Sequence, residues 1–321
     1  MLTFNRPHYF KEAVERVLSQ TYSHLELIII DNASTPETQE YLSQIQKQDS
    51  RIKVVRYQTN QYDPNEPGKY IGICFNAALK VAQGEYVFYQ EDDDLISPDY
   101  IERMVALFQD NPQCTTAAGI WVSIDAQGKI IPESRISNFR PRYMPGHLMA
   151  LDTLKELPSV LFSAPGTIFT IRRDVLLAAG GYHPIIESSQ MYGIVPFGVT
   201  GFDEKAVLYW RRHPGQLNLT LQSRPCRSAE YHRALLKEWD LHRKWEEKFG
   251  KKTADHFVRT LIWQKTLVCA DSFISSLFRF SWKPAWGTLS KHWNSWYFWK
   301  MIPQRAWINK WLLKKSLLQA H

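Results

Sequence analysis

The first 110 residues alternate short apolar runs with amphipathic stretches. Residues 25–30 (Leu-Glu-Leu-Ile-Ile-Ile) form a β-branched run closed by Asp31-Asn32-Ala33-Ser34, which predicts a buried strand ending in a polar loop. Ahead of it Phe10, Ala13, Val14, Val17 and Leu18 recur at helical spacing, with Pro7 at the helix start. The same pattern predicts a helix over 36–48, a strand over 52–57, an Asn-, Asp-, Pro- and Gly-containing loop over 59–68, and a helix over about 71–82 ended by Gly84. Residues 85–89 read as another strand, Glu91 to Asp94 as a carboxylate cluster, and Ser97-Pro98 as the cap and first turn of a further helix. Strands alternating with helices predict a parallel, doubly wound α/β sheet, which binds ligands outside the carboxyl ends of its strands. Both acidic loops lie at those ends.

Beyond residue 115 the pattern changes. Ile120 to Ile124, a Gly128 turn and Ile130-Ile131 predict a hairpin. Residues 168–172 read as a strand, and Asp174 to Ala179 as a helix stopped by Gly180-Gly181. From 226 to 271 the spacing is helical again, with no internal repeat and no low-complexity tract.

Composition alters this picture in one place. The chain of 321 residues is 44% hydrophobic and 22% charged, ordinary for a protein with a sizeable core and unlike a disordered or collagen-like chain. No stretch of about 18 uninterrupted apolar residues reads as a membrane span. The formal charge of +7 is localised: residues 272–321 hold eight Lys and Arg and no acid, leaving 31 basic against 32 acidic residues in the first 271. Seven of the twelve Trp, from Trp282 to Trp311, lie in that same tail. Two readings stand for it: an interfacial segment resting on an anionic membrane surface, or helices packing their Trp on the catalytic domain. Nucleic-acid binding is not expected, since the body carries no basic surplus. The cysteines at 74, 114, 226 and 269 lack metal-ligand spacing and are expected as free thiols in a reducing compartment.

Glu91, Asp92, Asp93 and Asp94 follow an apolar strand directly, where mutual repulsion is unfavourable unless a positive charge offsets it. Mg²⁺ and Mn²⁺ take oxygen ligands, typically one or two carboxylates together with substrate phosphates, so the cluster suits a metal-bridged phosphate substrate. A solvated acidic loop favouring the next helix N-terminus is the other reading. Asp31 is placed to accept hydrogen bonds from a base or ribose, or to cap backbone amides of its own turn.

Several segments in order then resemble one family over most of the first 220 residues. They are Thr3-Phe4-Asn5-Arg6-Pro7, residues 17–22, Leu25 to Ser34, Asn76 to Tyr86, Asp92-Asp93-Asp94 with Pro98, Arg172 to Tyr182, and Arg211-Arg212-His213-Pro214-Gly215-Gln216. The chain resembles a family 2 glycosyltransferase. The resemblance implies a GT-A type, Rossmann-like mixed sheet flanked by helices, followed by a helical C-terminal region. Residues 1–225 would be the transferase domain (1–110 nucleotide-binding, 111–225 acceptor), 226–271 a helical extension and 272–321 the basic tail.

It also implies roles. Phe4, Asn5 and Arg6 would line the nucleotide pocket, and Asp31 would recognise the base of a nucleoside diphosphate sugar, a UDP-sugar being the most frequent in relatives. Glu91 and Asp92 would lie on the nucleotide side and Asp93 and Asp94 at a Mn²⁺ or Mg²⁺ ion, with His213 approaching the metal or the diphosphate. The acceptor would be a glycan or a lipid-linked hydroxyl in bacterial surface polysaccharide assembly, at the inner face of the cell membrane or in the cytoplasm.

Three departures from the family pattern matter. Gln190 stands near the position of the expected catalytic carboxylate, which leaves Glu187 as first candidate base and Asp203 and Glu204 behind it. An inactive, nucleotide-sugar-binding relative therefore stays open, as does a nucleotidyltransferase, although no Gly-rich basic loop supports the latter. Phe75 replaces an Arg common in relatives, with Lys69 or Arg56 as substitute phosphate contacts. Only Met1 and Leu2 precede the Thr-Phe-Asn-Arg loop, where the family has a full hydrophobic strand; a start placed inside that strand is the favoured reading, with exposed neighbouring strand edges expected.

Overall fold

The structure, a computed structural model, describes residues 1–64, 69–132, 141–155, 169–183, 190–216 and 225–263. The predicted tail and Glu187 lie outside them. The chain divides near residue 217 into two compact units.

The first unit is built on strands β1 (Leu2–Thr3), β2 (Leu27–Asp31) and β3 (Ile52–Arg56), which run parallel in the order β1-β2-β3. Helices α1 (Pro7–Leu18), α2 (Pro36–Gln48) and α3 (Lys69–Val81) connect and follow them. Pro7 and Pro36 sit in the first turns of α1 and α2, where a missing N–H costs nothing. Phe10, Ala13, Val14 and Val17 form the buried stripe of α1, packing into one core with Leu27 and Ile29 of β2.

The sheet does not stay parallel. Strand β4 (Tyr86–Phe88) pairs antiparallel with β8 (Phe169–Arg172), in a second sheet ordered β4-β8-β6-β9-β5. Within it β6 (Cys114–Ile124) and β9 (Val199–Arg211) run parallel, β5 (Leu95–Ile96) pairs antiparallel with β9, and β7 (Tyr143–Pro145) pairs with β9 from the side. The parallel reading of the first 110 residues thus holds through β3 and ends at β4, where an antiparallel strand from the second half enters and makes the sheet mixed, as the family resemblance implied. A parallel bridge, Leu2 to Glu91, links the two sheets.

The hairpin predicted around Gly128 forms in short form: Ile124 bridges Ile130, and the Ile131 amide donates to the Ser123 carbonyl and the Asp125 amide to the Lys129 carbonyl, both at 2.9 Å. Helix α4 (Tyr100–Asp110) begins two residues later than Ser97-Pro98 implied, with Asp99 at its N-cap. Ser97 is used otherwise: its Oγ accepts from the Val207 amide at 3.2 Å. Gly119 sits where β6 shifts register against β9, and a Cβ there would lie 2.2 Å from the Ala206 carbonyl oxygen, so no side chain fits.

Helix α5 (Gly146–Lys155) follows β7, and α6 (Arg173–Ala178) follows β8. Gly180 and Gly181 end α6 at φ of 90° and 85°, and the Gly181 amide returns to the Leu176 carbonyl at 2.9 Å. The next residue is held by α3: Asn76 accepts from the Tyr182 amide and donates to its carbonyl, both at 2.7 Å. Cys74 and Cys114 are buried free thiols, as the spacing implied.

In the second unit α7 (Pro225–Glu238), α8 (Leu241–Phe249) and a helix α9 over 251–263 are described. Trp245 stacks on Phe257 at 4.0 Å, and His242 Nε2 lies 2.8 Å from Asp255. Among the described residues no helix is long and apolar enough to cross a membrane.

Candidate active site

Four loops meet at the carboxyl ends of β1, β2, β4 and β9. The loops after β1 and β2 interlock. Asn5 and Ala33 take left-handed backbone conformations, φ 53° and 63°. The Asn5 amide donates to Ser34 Oγ at 3.2 Å, and Asn5 Oδ1 accepts from the Thr35 amide at 2.7 Å. Phe4 is 41% exposed beside them. Asp31 is fully buried, its carboxylate accepting from the Ser34 amide at 2.9 Å and from Arg56 Nε at 3.0 Å. Asp31 therefore fixes the loop, and Arg56, a suggested phosphate contact, is held by it. Asn32, which the sequence reading passed over, ties in the 59–62 segment: its amide donates to Asn60 and its Oδ1 accepts from the Gln61 amide at 2.8 Å.

The carboxylate loop meets the N-terminus of α1 and the segment after β9. Arg6 Nη1 donates to Asp93 Oδ2 at 2.8 Å and to Asp92 Oδ1 at 3.2 Å, and Arg6 Nη2 to the Gly215 carbonyl at 2.8 Å. His213 Nε2 lies 3.0 Å from the same Asp93 oxygen. The Gly215 amide donates to His213 Nδ1 at 3.2 Å, so Nε2 carries the ring proton and donates to Asp93. Arg6, Asp92, Asp93 and His213 are thus brought together. Glu91 is turned to the Tyr89 hydroxyl, and Asp94 Oδ1 accepts from the Arg211 amide at 2.9 Å while its Oδ2 has no partner among the described residues.

Burial and mutual repulsion dominate the electrostatics. Burial, then the Asp93 charge, raises the Glu91 carboxyl to about 8 and Asp92 to about 6, and lifts Asp94 well above its ordinary value. Burial opposes the Arg6 charge, but Asp92, Asp93 and Glu91 outweigh it and hold the guanidinium above its usual range. The four carboxylates outnumber the guanidiniums of Arg6 and Arg211 that act on them. Oxygen donors with one imidazole are the donor set of a hard divalent cation. Among the described residues no group of three or more His, Cys, Asp or Glu forms a complete cage, so a cation here would need ligands from a substrate.

The sequence reading gave Arg211 no role, yet it organises the whole loop. Its guanidinium, in a residue 1% exposed, donates to the Asp93 carbonyl at 2.8 Å, the Ala126 carbonyl at 3.2 Å and Glu12 at 2.6 Å, and lies 4.9 Å from the Tyr9 ring centroid. Gln216 in turn donates to the Arg211 carbonyl. The available signal was an arginine closing the apolar run Val207 to Trp210. Of the other candidate bases, Asp203 is paired with Arg103 at 3.3 Å and Glu204 is exposed on β9. Gln190 is fully buried in a single π-turn, its amide without a partner among the described residues.

A mixed α/β sheet with these loops at its strand ends defines a GT-A type transferase fold. The chain belongs to glycosyltransferase family 2: residues 1–178 match the family described as "Glycosyl transferase family 2". It is 34% identical over 103 residues to a "Putative teichuronic acid biosynthesis glycosyltransferase TuaG" of Bacillus subtilis, covering 32% of this chain and 38% of that protein. The chain spans about a third of the length of the curated relatives it matches. In structure it resembles S. aureus TarS 1-349 at TM-score 0.51 and 14% identity, covering 91% of this chain and 90% of the other. It also resembles the mannosyltransferase PcManGT of Pyrobaculum calidifontis, whose structure holds GDP-Man and Mn²⁺, at TM-score 0.50 and 13% identity over 95% and 85% of the two chains.

Proposed function

We propose that the protein is a metal-dependent, inverting glycosyltransferase that moves a sugar from a nucleoside diphosphate sugar to a hydroxyl of a glycan or lipid-linked acceptor in bacterial surface polysaccharide assembly. The convergence of Arg6, Asp92, Asp93 and His213 on one point carries this reading. The likeness to TuaG, described as a putative teichuronic acid biosynthesis glycosyltransferase, supports the pathway, and the GDP-Man and Mn²⁺ of PcManGT support the ligand class.

Asp93, with Asp92 and Asp94 beside it, would hold a Mn²⁺ or Mg²⁺ ion. When bound, that ion supplies charge neutralisation for the departing diphosphate. Arg6 and His213 bring donors to the same place, and the interlocked loops carrying Phe4, Asn5 and Asp31 form the floor of the base pocket. Glu187 is our candidate for the base that takes the acceptor proton, and a single displacement inverts the anomeric carbon. The basic Trp-rich tail would hold the enzyme at an anionic membrane surface, beside a lipid-linked acceptor.

Calorimetric titration of UDP, GDP and their sugars, with Mn²⁺ and with chelator, tests the reading. Metal-dependent binding of one nucleotide is the expected result, and absence of binding across the panel would overturn it. Gln190 favours a second reading, a relative that binds nucleotide sugar without transferring it; binding with no turnover of donor on any glycan acceptor would select that one.

The carboxyl shifts add a pH dependence. With Glu91 raised to about 8 and Asp92 to about 6, the metal-free site holds protons that a cation must displace. Mn²⁺ affinity is expected to rise from pH 6 to pH 8, with protons released into buffer, read as a binding enthalpy that varies with buffer ionisation enthalpy. The sign carries over to stability. A carboxyl raised in the folded state favours folding below its unfolded value, and that contribution is lost as pH rises through the folded one. The thermal shift given by Mn²⁺ is therefore larger at pH 8 than at pH 6.

A further inference from the structure

The segment that delivers His213 to the carboxylate loop carries a second arginine in a different setting. Arg211 and His213 both reach Tyr9 of α1: the guanidinium lies 4.9 Å from its ring centroid, and the imidazole centroid 4.8 Å. Arg212, between them, goes to Trp210 instead, with its Cζ 3.5 Å from the ring centroid. That indole is buried and is met edge-on by Trp121 of β6 at 5.4 Å. The Arg212 amide donates to the Ile124 carbonyl at 2.8 Å. Both the backbone of this half-buried arginine and the ring beneath it are therefore fixed.

Stacking occupies the face of a guanidinium and leaves its five in-plane N–H donors for other groups. The other arginines at this end of the sheet, Arg6, Arg56 and Arg211, each hold a carboxylate: Asp93, Asp31 and Glu12. Arg212 holds none among the described residues. Asp94 is near enough for its charge to be felt, but its Oδ1 accepts from the Arg211 amide and not from this guanidinium. A flat-stacked guanidinium with an open fork is the arrangement that grips a carboxylate or phosphate through two parallel N–H bonds. The stack also removes part of the side-chain entropy that gripping would otherwise cost.

We propose that Arg212 on its Trp210 shelf is a binding site for an oxyanion, a phosphate or carboxylate group presented by a substrate. The source of that group rests on the transferase reading. There the donor diphosphate is assigned to the point where Arg6, Asp93 and His213 converge, on the Tyr9 side of the segment. The group at Arg212 then belongs to the acceptor, which is a phosphorylated or carboxylated glycan or its lipid-linked form.

The test follows the Arg212 Nε–H resonance of the whole chain, identified by its loss in Arg212→Lys. Inorganic phosphate or glucuronate replaces chloride at constant ionic strength, so that general screening stays equal. A saturable movement in the millimolar range is expected with either anion and none with glucose. Read from the Trp210 indole N–H, Arg212→Gln is expected to weaken phosphate about tenfold or more, with Tm within about 2 °C of the parent. No saturable movement, or equal phosphate affinity in the Gln variant, would overturn the proposal. Repeating the titration with UDP or GDP and Mn²⁺ present tests the source. Phosphate still bound beside the nucleotide assigns the group to the acceptor; phosphate displaced by it returns the group to the donor and overturns that assignment. Failure of the transferase reading shows separately, as no nucleotide binding at all, and leaves the phosphate titration to decide the Arg212 site.

Discussion

Asp93→Ala is expected to remove the proposed metal-dependent part of nucleotide binding: the dissociation constant with Mn²⁺ should rise about hundredfold, ~2.7 kcal/mol, to the value found with chelator. Asp93 is the one carboxylate on which Arg6 and His213 both converge, at 2.8 and 3.0 Å, so no neighbour can take its place. Stability moves far less. Asp93 contributes its bonds to Arg6 and His213, yet after burial its charge is the largest factor raising Glu91, Asp92 and Asp94. These effects oppose each other, and the metal-free Tm is expected to stay within about 3 °C of the parent. Calorimetry and thermal unfolding of the same sample check both halves. An affinity with Mn²⁺ equal to the parent's would remove Asp93 from the metal site, and a collapse of Tm would make it a structural anchor.

Arg211→Met has the largest expected effect on folding, a loss of about 3 kcal/mol and about 10 °C in Tm. Methionine fills much of the volume but donates nothing, leaving the carbonyls of Asp93 and Ala126 without their donor and Glu12 without its partner. The carboxylate loop loses its fixed shape with them, so the proposed Mn²⁺ affinity is expected to fall as well, through the loop rather than through a ligand lost from the guanidinium. Arg211→Lys retains the charge without the fork and is expected to recover less than half of the Tm loss. A parent-like Tm in the Met variant would show that the loop is held by other contacts.

The contrast between Asp93 and Arg211 shows what the sequence makes legible. The helices over 7–18 and 36–48 declare themselves through apolar spacing and a proline in the first turn, and the Gly180-Gly181 stop is local chemistry of the same kind. The carboxylates stand out because four in a row after an apolar strand have few structural uses. Strands β5 and β7, of two and three residues, are too short to set a period, and their pairing with β9 is decided by packing. Arg211 meets partners 85, 118 and 199 residues away, and nothing local to residue 211 encodes those meetings. Asp31 is a case where one of two readings was local: the cap of its own turn, visible in the Asp-Asn-Ala-Ser pattern, is the bond it makes to the Ser34 amide, whereas its pairing with Arg56 on β3 comes from the fold.

The interlock between the loops after β1 and β2 sets how the pocket floor can change. Asn5 and Ala33 each hold a left-handed backbone, which for Ala33 costs about 1 kcal/mol, and the two loops fasten each other through Ser34 and Thr35. Inserting or deleting a residue in either loop would unfasten both. Side chains on this frame, such as the exposed Phe4, can vary without that penalty. If these loops floor the nucleotide pocket as proposed, nucleotide preference would be open to drift and redesign by substitution, while the length of the loops would be closed to both.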